Sequence, residues 1–476
     1  MKSKQIHQGI WGKSIFLHGK WYMLSSILTK GINMIVLRIY TEYLSPLEYG
    51  ILDTLNAVAL LLPFFISLYL DSAFGRFYHE YKDNKNQLRE LFSTIFLFVF
   101  GFGSLVTVLV IGTSKFWVDD LLEIPIYPHI FLAFIPPLFL QLGNLGLVFL
   151  RQSLLSKETS FVEIVRLLIN LLVALPLLIL ADFGILAKLW GTFISAVAIF
   201  IFYVFYFKHK RLLTLTFNKK ILKDSLVYSI PLLPGFLGMW LAGLSDRLVI
   251  AKYTGIEQVG YYAVGFMLGK LMYIFHDALT QVISPITMSG LIHDNSSSKK
   301  KMVTLSEYIW IYMLLLNFLI FCFSAELIQI FAENSYRQAA QVIPIIGFSY
   351  VLGSQSRIFS NVIMYHKKNW ILSSGGIIQG VMNLALNILF VPVFGYIFAA
   401  ISTVLSVLIY TLWIVYWALR IDDLKFNFNA YLASFGMFSL GILFIHYGAI
   451  SSFWIKLCIT IPILFIIYLK KPVHQI

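Results

Sequence analysis

The sequence predicts an all-α polytopic membrane protein of about fourteen transmembrane helices: two parallel six-helix repeats plus two extra C-terminal helices. Three observations carry this. First, the 476 residues are 59% hydrophobic and only 12% charged, with a mean hydropathy of +0.81, whereas soluble domains carry about 25% charged residues. Second, the apolar residues fall in blocks near the roughly 20-residue length that crosses a bilayer, and they lack the period-2 alternation of a membrane barrel. Third, a set of short motifs recurs once at nearly constant spacing.

The recurrence begins at Arg38, followed by Tyr43, Leu44-Ser45-Pro46-Leu47, Glu48 and Gly50. Arg247 is followed by Tyr253, Glu257 and Gly260 in the same frame, 209 to 210 residues later. Leu142-Gly143-Asn144 matches Leu352-Gly353-Ser354, and Lys157 matches Lys367, both at offset 210. Phe183-Gly184 matches Phe394-Gly395 at offset 211. Each pair alone is common in membrane helices; four in register mark a duplication.

The expected spans are 15–40, 50–72, 91–113, 126–150, 159–181, 184–207, 226–250, 258–286, 303–331, 338–365, 371–392, 395–419, 429–447 and 450–469. Six spans separate the two repeats. An even number makes the copies enter the bilayer from the same side, hence parallel. The segment 73–90 mixes aromatic and charged residues and reads as an interfacial amphipathic helix. Pro136 and Pro137 interrupt span 4, and Pro231 and Pro234, with Gly235 and Gly238, mark a bend in span 7. The resulting partition is a first lobe over 1–207, a basic linker over 208–224, a second lobe over 225–419 and appended helices over 420–476.

A net charge of +13 raises the question of nucleic acid, but the positive charge follows topology. Lys2, Lys4 and Lys13 precede span 1. Arg76, Lys82, Lys85 and Arg89, then Arg151 and Lys157, then Lys208, Lys210 and Arg211 fill alternate connections. The intervening connections carry mainly acids: Glu42, Glu48, Asp119, Asp120, Glu123, Asp182, Glu257 and Glu333. The positive-inside rule then places both termini in the cytoplasm. Span 1 carries Lys20 and Lys30 and has no compact apolar core with a cleavage site, so it is expected to be retained. Cys322 and Cys458 fall inside spans and no disulfide is expected. No metal, nucleotide or nucleophile motif is present and no connection is long enough for a catalytic domain, so the reading is neither an enzyme nor a cofactor protein.

Charges inside the spans carry the functional argument, because a charge at the bilayer centre costs at least about 2.5–3.5 kcal/mol. Span 1 holds Lys20, Lys30 and Arg38, span 2 Asp53, and span 5 Glu163 and Arg166. Span 7 ends in Asp246 and Arg247; span 8 holds Lys270, His276 and Asp277; span 10 holds Arg357. Glu163 and Arg166, three residues apart, read as a helix ion pair. Arg38 and Asp53 read either as a pair or as cavity residues. Lys30 and Lys270 fall near the midplane. Lys20, Lys30, Arg38, Arg247 and Lys270 together form a cationic ladder suited to an anionic substrate such as pyrophosphate. Asp53, Asp246, His276, Asp277 and Arg357 are expected as cavity polar or coupling residues.

The Arg38 motif with Leu44-Ser45-Pro46-Leu47-Glu48-Tyr49-Gly50, and Asp246-Arg247 followed by Gly255 and Gly260-Tyr261-Tyr262, resemble the Wzx-type polysaccharide-unit flippases. That family belongs to the multidrug/oligosaccharidyl-lipid/polysaccharide (MOP) exporter superfamily. The resemblance implies a MATE/flippase-like fold working by alternating access in the bacterial cytoplasmic membrane. It implies translocation of undecaprenyl-pyrophosphate-linked oligosaccharide repeat units for O-antigen, capsule or exopolysaccharide synthesis. It also implies an H+ or Na+ gradient as drive, membrane lipids around the chain, and a polysaccharide polymerase and chain-length protein as partners. Two alternatives remain at this point: a cation-coupled multidrug exporter of the same superfamily, which would favour cavity acids, and a membrane-embedded polysaccharide polymerase, which would need a large outer loop.

Overall fold

The computed structural model describes residues 21, 25, 28–116, 118, 126–293, 296–422, 431, 435 and 436. Lys20, Asp119, Asp120, Glu123, Cys458, the span expected at 450–469 and most of that at 429–447 lie outside the described residues. Those described form helices and turns with no strand. Ten helical stretches among them are long and apolar enough to cross a membrane. The chain divides into two compact units, 1–236 and 237–476.

The first unit opens with α1 (28–43) and α2 (Pro46–Ala59). The recurring Ser-Pro-Leu-Glu motif is the start signal of α2. Ser45 is its N-cap and Pro46 its first residue. The Ser45 amide donates to Glu48 Oε2 at 2.9 Å and the Glu48 amide donates to Ser45 Oγ at 3.3 Å, a reciprocal capping box. Glu48 therefore serves helix entry.

Span 2, expected as one helix, is in three pieces: α2, α3 (Leu62–Ser67) and α4 (Leu70–Tyr81). Pro63 has no amide to continue the α2 ladder. Leu68 and Tyr69 then adopt left-handed φ values of 48° and 62°, which re-aim α4. Asn144 holds α4 in place by donating to Asp71 Oδ2 at 3.0 Å. The segment expected at 73–90 as an amphipathic helix is thus α4 as far as Tyr81 and the start of α5 from Lys85.

α5 (Lys85–Thr113) is followed by α6 (Ile126–Phe134) and α7 (Pro136–Gln152), with Pro136 and Pro137 in the first turn of α7, where prolines fit. α8 (Ser156–Ile179) and α9 (Ile185–His209) form an antiparallel hairpin. A Cβ built on Gly191 would lie 2.7 Å from the carbonyl oxygen of Asn170, so only glycine permits this seam. The outer surface of α8 is apolar and unburied: Leu172 is 73% exposed and Phe161 66%, as a lipid-facing helix requires. The segment expected as a basic linker, 208–224, is tied to α5. Ser93 Oγ donates to the Leu212 carbonyl at 2.9 Å, and the Asn218 amide donates to Thr94 Oγ1 at 3.0 Å. α10 (Lys219–Ser229) follows, and the proline cluster at 231–234 separates it from α11 (Leu233–Thr254) by one 3-10 turn, Ile230–Leu232.

In the second unit, α12 (Ile256–Gly269), α13 (Leu271–His293), α14 (Ser296–Cys322) and α18 (Tyr396–Ile421) pack around α16 (Val342–Tyr365). α15 (Ser324–Phe331) and a 3-10 stretch, Asn334–Gln341, lead into α16, and α17 (Trp370–Phe394) pairs with α18. Span 8 was expected to be continuous; it breaks at Lys270, whose amide closes α12 on Phe266 while its carbonyl accepts from the Tyr273 amide at 2.9 Å. Gly265 and Gly269, one turn apart, press α12 onto α16. A Cβ on either would come within 2.7 Å of a backbone oxygen, that of Ala339 or Ile343. Gly184 and Gly395, matched by the repeat, both open a helix with positive φ, 52° and 76°. Glycine takes that conformation without the Cβ clash other residues meet.

Candidate functional site

Three helices of the first unit each turn one polar stripe toward a common space. On α8 the stripe is Glu163, Arg166 and Asn170, spaced i, i+3, i+7. On α9 it is Lys188, Thr192 and Ser195, spaced i, i+4, i+7. On α1 it is Thr29, Lys30 and Asn33. These spacings place each set on one helix face. With Ser25, Leu140 and Arg151 they enclose a cavity of about 710 Å³. Its wall holds four basic side chains and one acid.

The charges are graded along the cavity. Take the end of the unit bearing Arg151, Lys157, Lys208 and Lys210 as its basic end, and the 180–184 turn as its other end. α1 starts at the basic end, where Lys157 Nζ lies 5.9 Å from the Trp21 ring. Arg166 is 13 residues short of Ile179, and Lys30 is 13 residues short of Tyr43, so both sit roughly 20 Å below the turn end at 1.5 Å per residue. Lys188 is three residues into α9, roughly 5 Å from that end. Arg151 lies at the basic end, where its Nη2 donates to Glu163 Oε1 at 2.7 Å.

This pairing corrects the expected Glu163–Arg166 ion pair. Glu163 reaches across to α7 instead, because α7 ends beside α8 and delivers Arg151 to it. Arg166 keeps its charge toward the cavity and forms no ion pair among the described residues. Lys188 was missing from the sequence-based set. Its signal was the polar stripe Lys188–Thr192–Ser195 on an otherwise apolar span.

Of the four expected ladder residues that are described, Lys30 alone lines this cavity. Lys20 is outside the described residues. Arg38 is partly buried on α1, its carbonyl accepting from Thr41 Oγ1 at 3.0 Å, and Asp53 is partly buried on α2. Lys270 is exposed at the α12–α13 break. Arg247 is 4% exposed. Its Nη1 donates to the Gly243 carbonyl at 2.8 Å, and its Cζ stands 5.1 Å from the Tyr262 ring and 4.4 Å from that of Phe266. It is packed into the second unit, so the duplicated arginine motif does not give two equivalent cavity cations.

Asp246 anchors that packing. It is fully buried and accepts from the Tyr262 hydroxyl, from Asn387 Nδ2 at 2.9 Å and from Thr403 Oγ1 at 3.4 Å, with Arg247 Nη1 at 3.9 Å. Donors from α12, α17 and α18 thus converge on one carboxylate of α11. Asn383 and Asn387, i and i+4 on span 11, were the unread signal for it. His276 is 7% exposed, its ring flanked by Tyr273 at 6.1 Å and Tyr350 at 6.2 Å. Asp277 is partly buried, and Arg357 is exposed on α16. A second cavity in this unit, about 560 Å³, is lined by Phe321, Pro344, Phe348 and Ile401 among others and contains no charged side chain.

No group of three or more metal-ligating side chains occurs among the described residues. The cavity wall carries four cationic donors, a donor set whose charge-assisted hydrogen bonds suit a multivalent anion.

A family model described as polysaccharide biosynthesis protein matches residues 39–341, more than half of the chain. Among solved structures, the lipid II flippase MurJ in an inward closed conformation is similar in fold. The TM-score is 0.66 at 14% identity, over 94% of this chain and 98% of that one. An inward-facing multidrug resistance MATE family transporter of the MOP superfamily gives a TM-score of 0.59 at 17% identity, over 81% and 95% of the two chains. A curated relative, the uncharacterized membrane protein MJ1068 of Methanocaldococcus jannaschii, is 27% identical over 203 residues, or 42% of this chain and 39% of that protein. The match thus spans about two fifths of that relative's length. From the family match and the common architecture, the chain belongs to the polysaccharide biosynthesis protein family and has the membrane fold shared by MurJ and the MATE transporters.

Proposed function

We propose that the protein is a flippase that moves undecaprenyl-pyrophosphate-linked oligosaccharide repeat units across the cytoplasmic membrane by alternating access, supplying surface polysaccharide synthesis. The observation that carries this reading is the cavity of the first unit, whose wall sets Lys30, Arg151, Arg166 and Lys188 against the single acid Glu163. A pyrophosphate-bearing lipid offers what this wall lacks, which is negative charge and many acceptor oxygens. A cationic drug would meet an excess of like charge there, so the drug-exporter reading is not favoured. Lys30, Arg151 and Arg166 hold the pyrophosphate, and the basic end faces the cytoplasm, where the lipid-linked unit is assembled. An H+ or Na+ gradient supplies the drive, with Asp246, buried in the second unit beside Arg247 and the donors Tyr262, Asn387 and Thr403, as the charge that responds to it.

The experiment is genetic and chemical. A strain lacking this chain should lose surface polymer and accumulate lipid-linked repeat units. The wild-type sequence should restore the polymer, and Lys30→Gln with Arg166→Gln should not, although the protein reaches the membrane. Full polymer from the doubly substituted protein would refute the reading.

A further inference from the structure

We propose that Lys188, seated on the ring of Tyr40, forms a second anion station near the turn end of the first-unit cavity, which receives the phosphate head after the layer of Lys30 and Arg166. The inference rests on the flippase reading above and assigns that site an internal order.

Three observations point to it. Lys188 lines the cavity, and no carboxylate among the described residues forms an ion pair with it. Its Nζ stands 4.7 Å from the Tyr40 ring centroid, a cation–π seat that holds the ammonium without neutralising it. Tyr40 itself is 4% exposed and its hydroxyl has no hydrogen-bond partner among the described residues. A lysine that lines the cavity and forms no ion pair among the described residues is a donor lacking an acidic acceptor. Thr192 and Ser195 continue the same polar face.

The station is separate from the deeper layer. By helix rise, Lys188 lies roughly 15 Å nearer the turn end than Arg166. The α1 pair repeats the spacing, with Tyr40 ten residues beyond Lys30, again roughly 15 Å. Helical side chains also lean toward their own helix N-terminus. α8 and α9 are antiparallel, so Arg166 leans toward the basic end and Lys188 toward the turn end, which widens the gap. Charge-assisted hydrogen bonds span only about 2.7–2.9 Å, so one compact head engages one layer at a time. The lipid head is captured at the deeper layer and passes to Lys188 on its way out.

The test uses the full chain in proteoliposomes and nanodiscs, with geranyl pyrophosphate as the binding probe and a fluorescent undecaprenyl-pyrophosphate-linked oligosaccharide as the transport probe. Lys188→Gln should leave the probe's Kd within about twofold of wild type while transport falls at least tenfold. Lys188→Arg should restore transport, and Tyr40→Phe should lower it about threefold at unchanged Kd. Arg166→Gln should weaken binding at least tenfold. Two results overturn the station while sparing the flippase reading: wild-type transport by Lys188→Gln, or a loss of binding by Lys188→Gln equal to that of Arg166→Gln, which would mean one shared site. A wild-type protein that neither binds the probe nor moves the lipid overturns the flippase reading and the station with it.

Discussion

Arg151 of α7 donates to Glu163 of α8 at 2.7 Å, and here the cavity wall neutralises one of its own charges. Both side chains stay partly exposed, 47% and 29%, so the pair adds at most about 1 kcal/mol to stability. Its consequence is for binding, since an incoming anion competes with Glu163 for Arg151.

Glu163→Gln should therefore tighten binding of a prenyl pyrophosphate by roughly threefold to tenfold, about 1 kcal/mol from removing one nearby like charge. The thermal unfolding midpoint should scarcely change. Calorimetry on the purified protein reads the first and fluorescence-detected unfolding the second. Weaker binding would mean that Glu163 positions Arg151 and does not compete for it.

Asp246→Ala should destabilise the second unit severely. It strips the acceptor from Tyr262 and Asn387 and removes the carboxylate 3.9 Å from the buried Arg247; breaking a buried pair in this way costs about 3–5 kcal/mol. Asp246→Asn keeps the shape and should be milder. The readout is the fraction of monodisperse protein extracted from membranes, against temperature. Full stability in Asp246→Ala would show that the network is dispensable for folding.

The α12–α16 seam gives a contrast between glycines. Gly269→Ala drives a Cβ to 2.7 Å from the Ile343 carbonyl oxygen, whereas a Cβ on Gly243 has nothing within 4 Å. The first substitution should cost about 1–3 kcal/mol through overpacking against backbone. Gly243→Ala should gain up to about 1 kcal/mol from helix propensity. Thermal midpoints moving in opposite directions would bear this out; equal midpoints would contradict it.

Much of the architecture was legible because it rests on local rules. The Ser45–Glu48 frame is a capping box, and Gly184 and Gly395 open helices at positive φ; both are written in a few adjacent residues. Long apolar blocks gave the spans for the same reason. The breaks at Leu68–Tyr69 and at Lys270 were not legible, since neither position carries glycine or proline and tertiary packing sets the chain there. The site was half legible. Lys30 stood out as a deep charge, but the depth of a charge does not say which neighbour it faces. Arg151 read as part of a basic connection, Arg247 read as a ladder cation and is buried, and Lys188 was hidden near a span end. Only the helix pairings decide which of these charges share a space.

The account turns on one claim, that the cavity of the first unit carries an anionic lipid head through the membrane. The direct measurement is movement of a fluorescent undecaprenyl-pyrophosphate-linked oligosaccharide across proteoliposomes holding the wild-type chain or the Lys30→Gln, Arg166→Gln double variant. The account predicts movement by the wild type and a rate at least tenfold lower for the variant at equal protein content. Equal rates for the two proteins, or a wild type that leaves the lipid in place while exporting an organic cation, would contradict it.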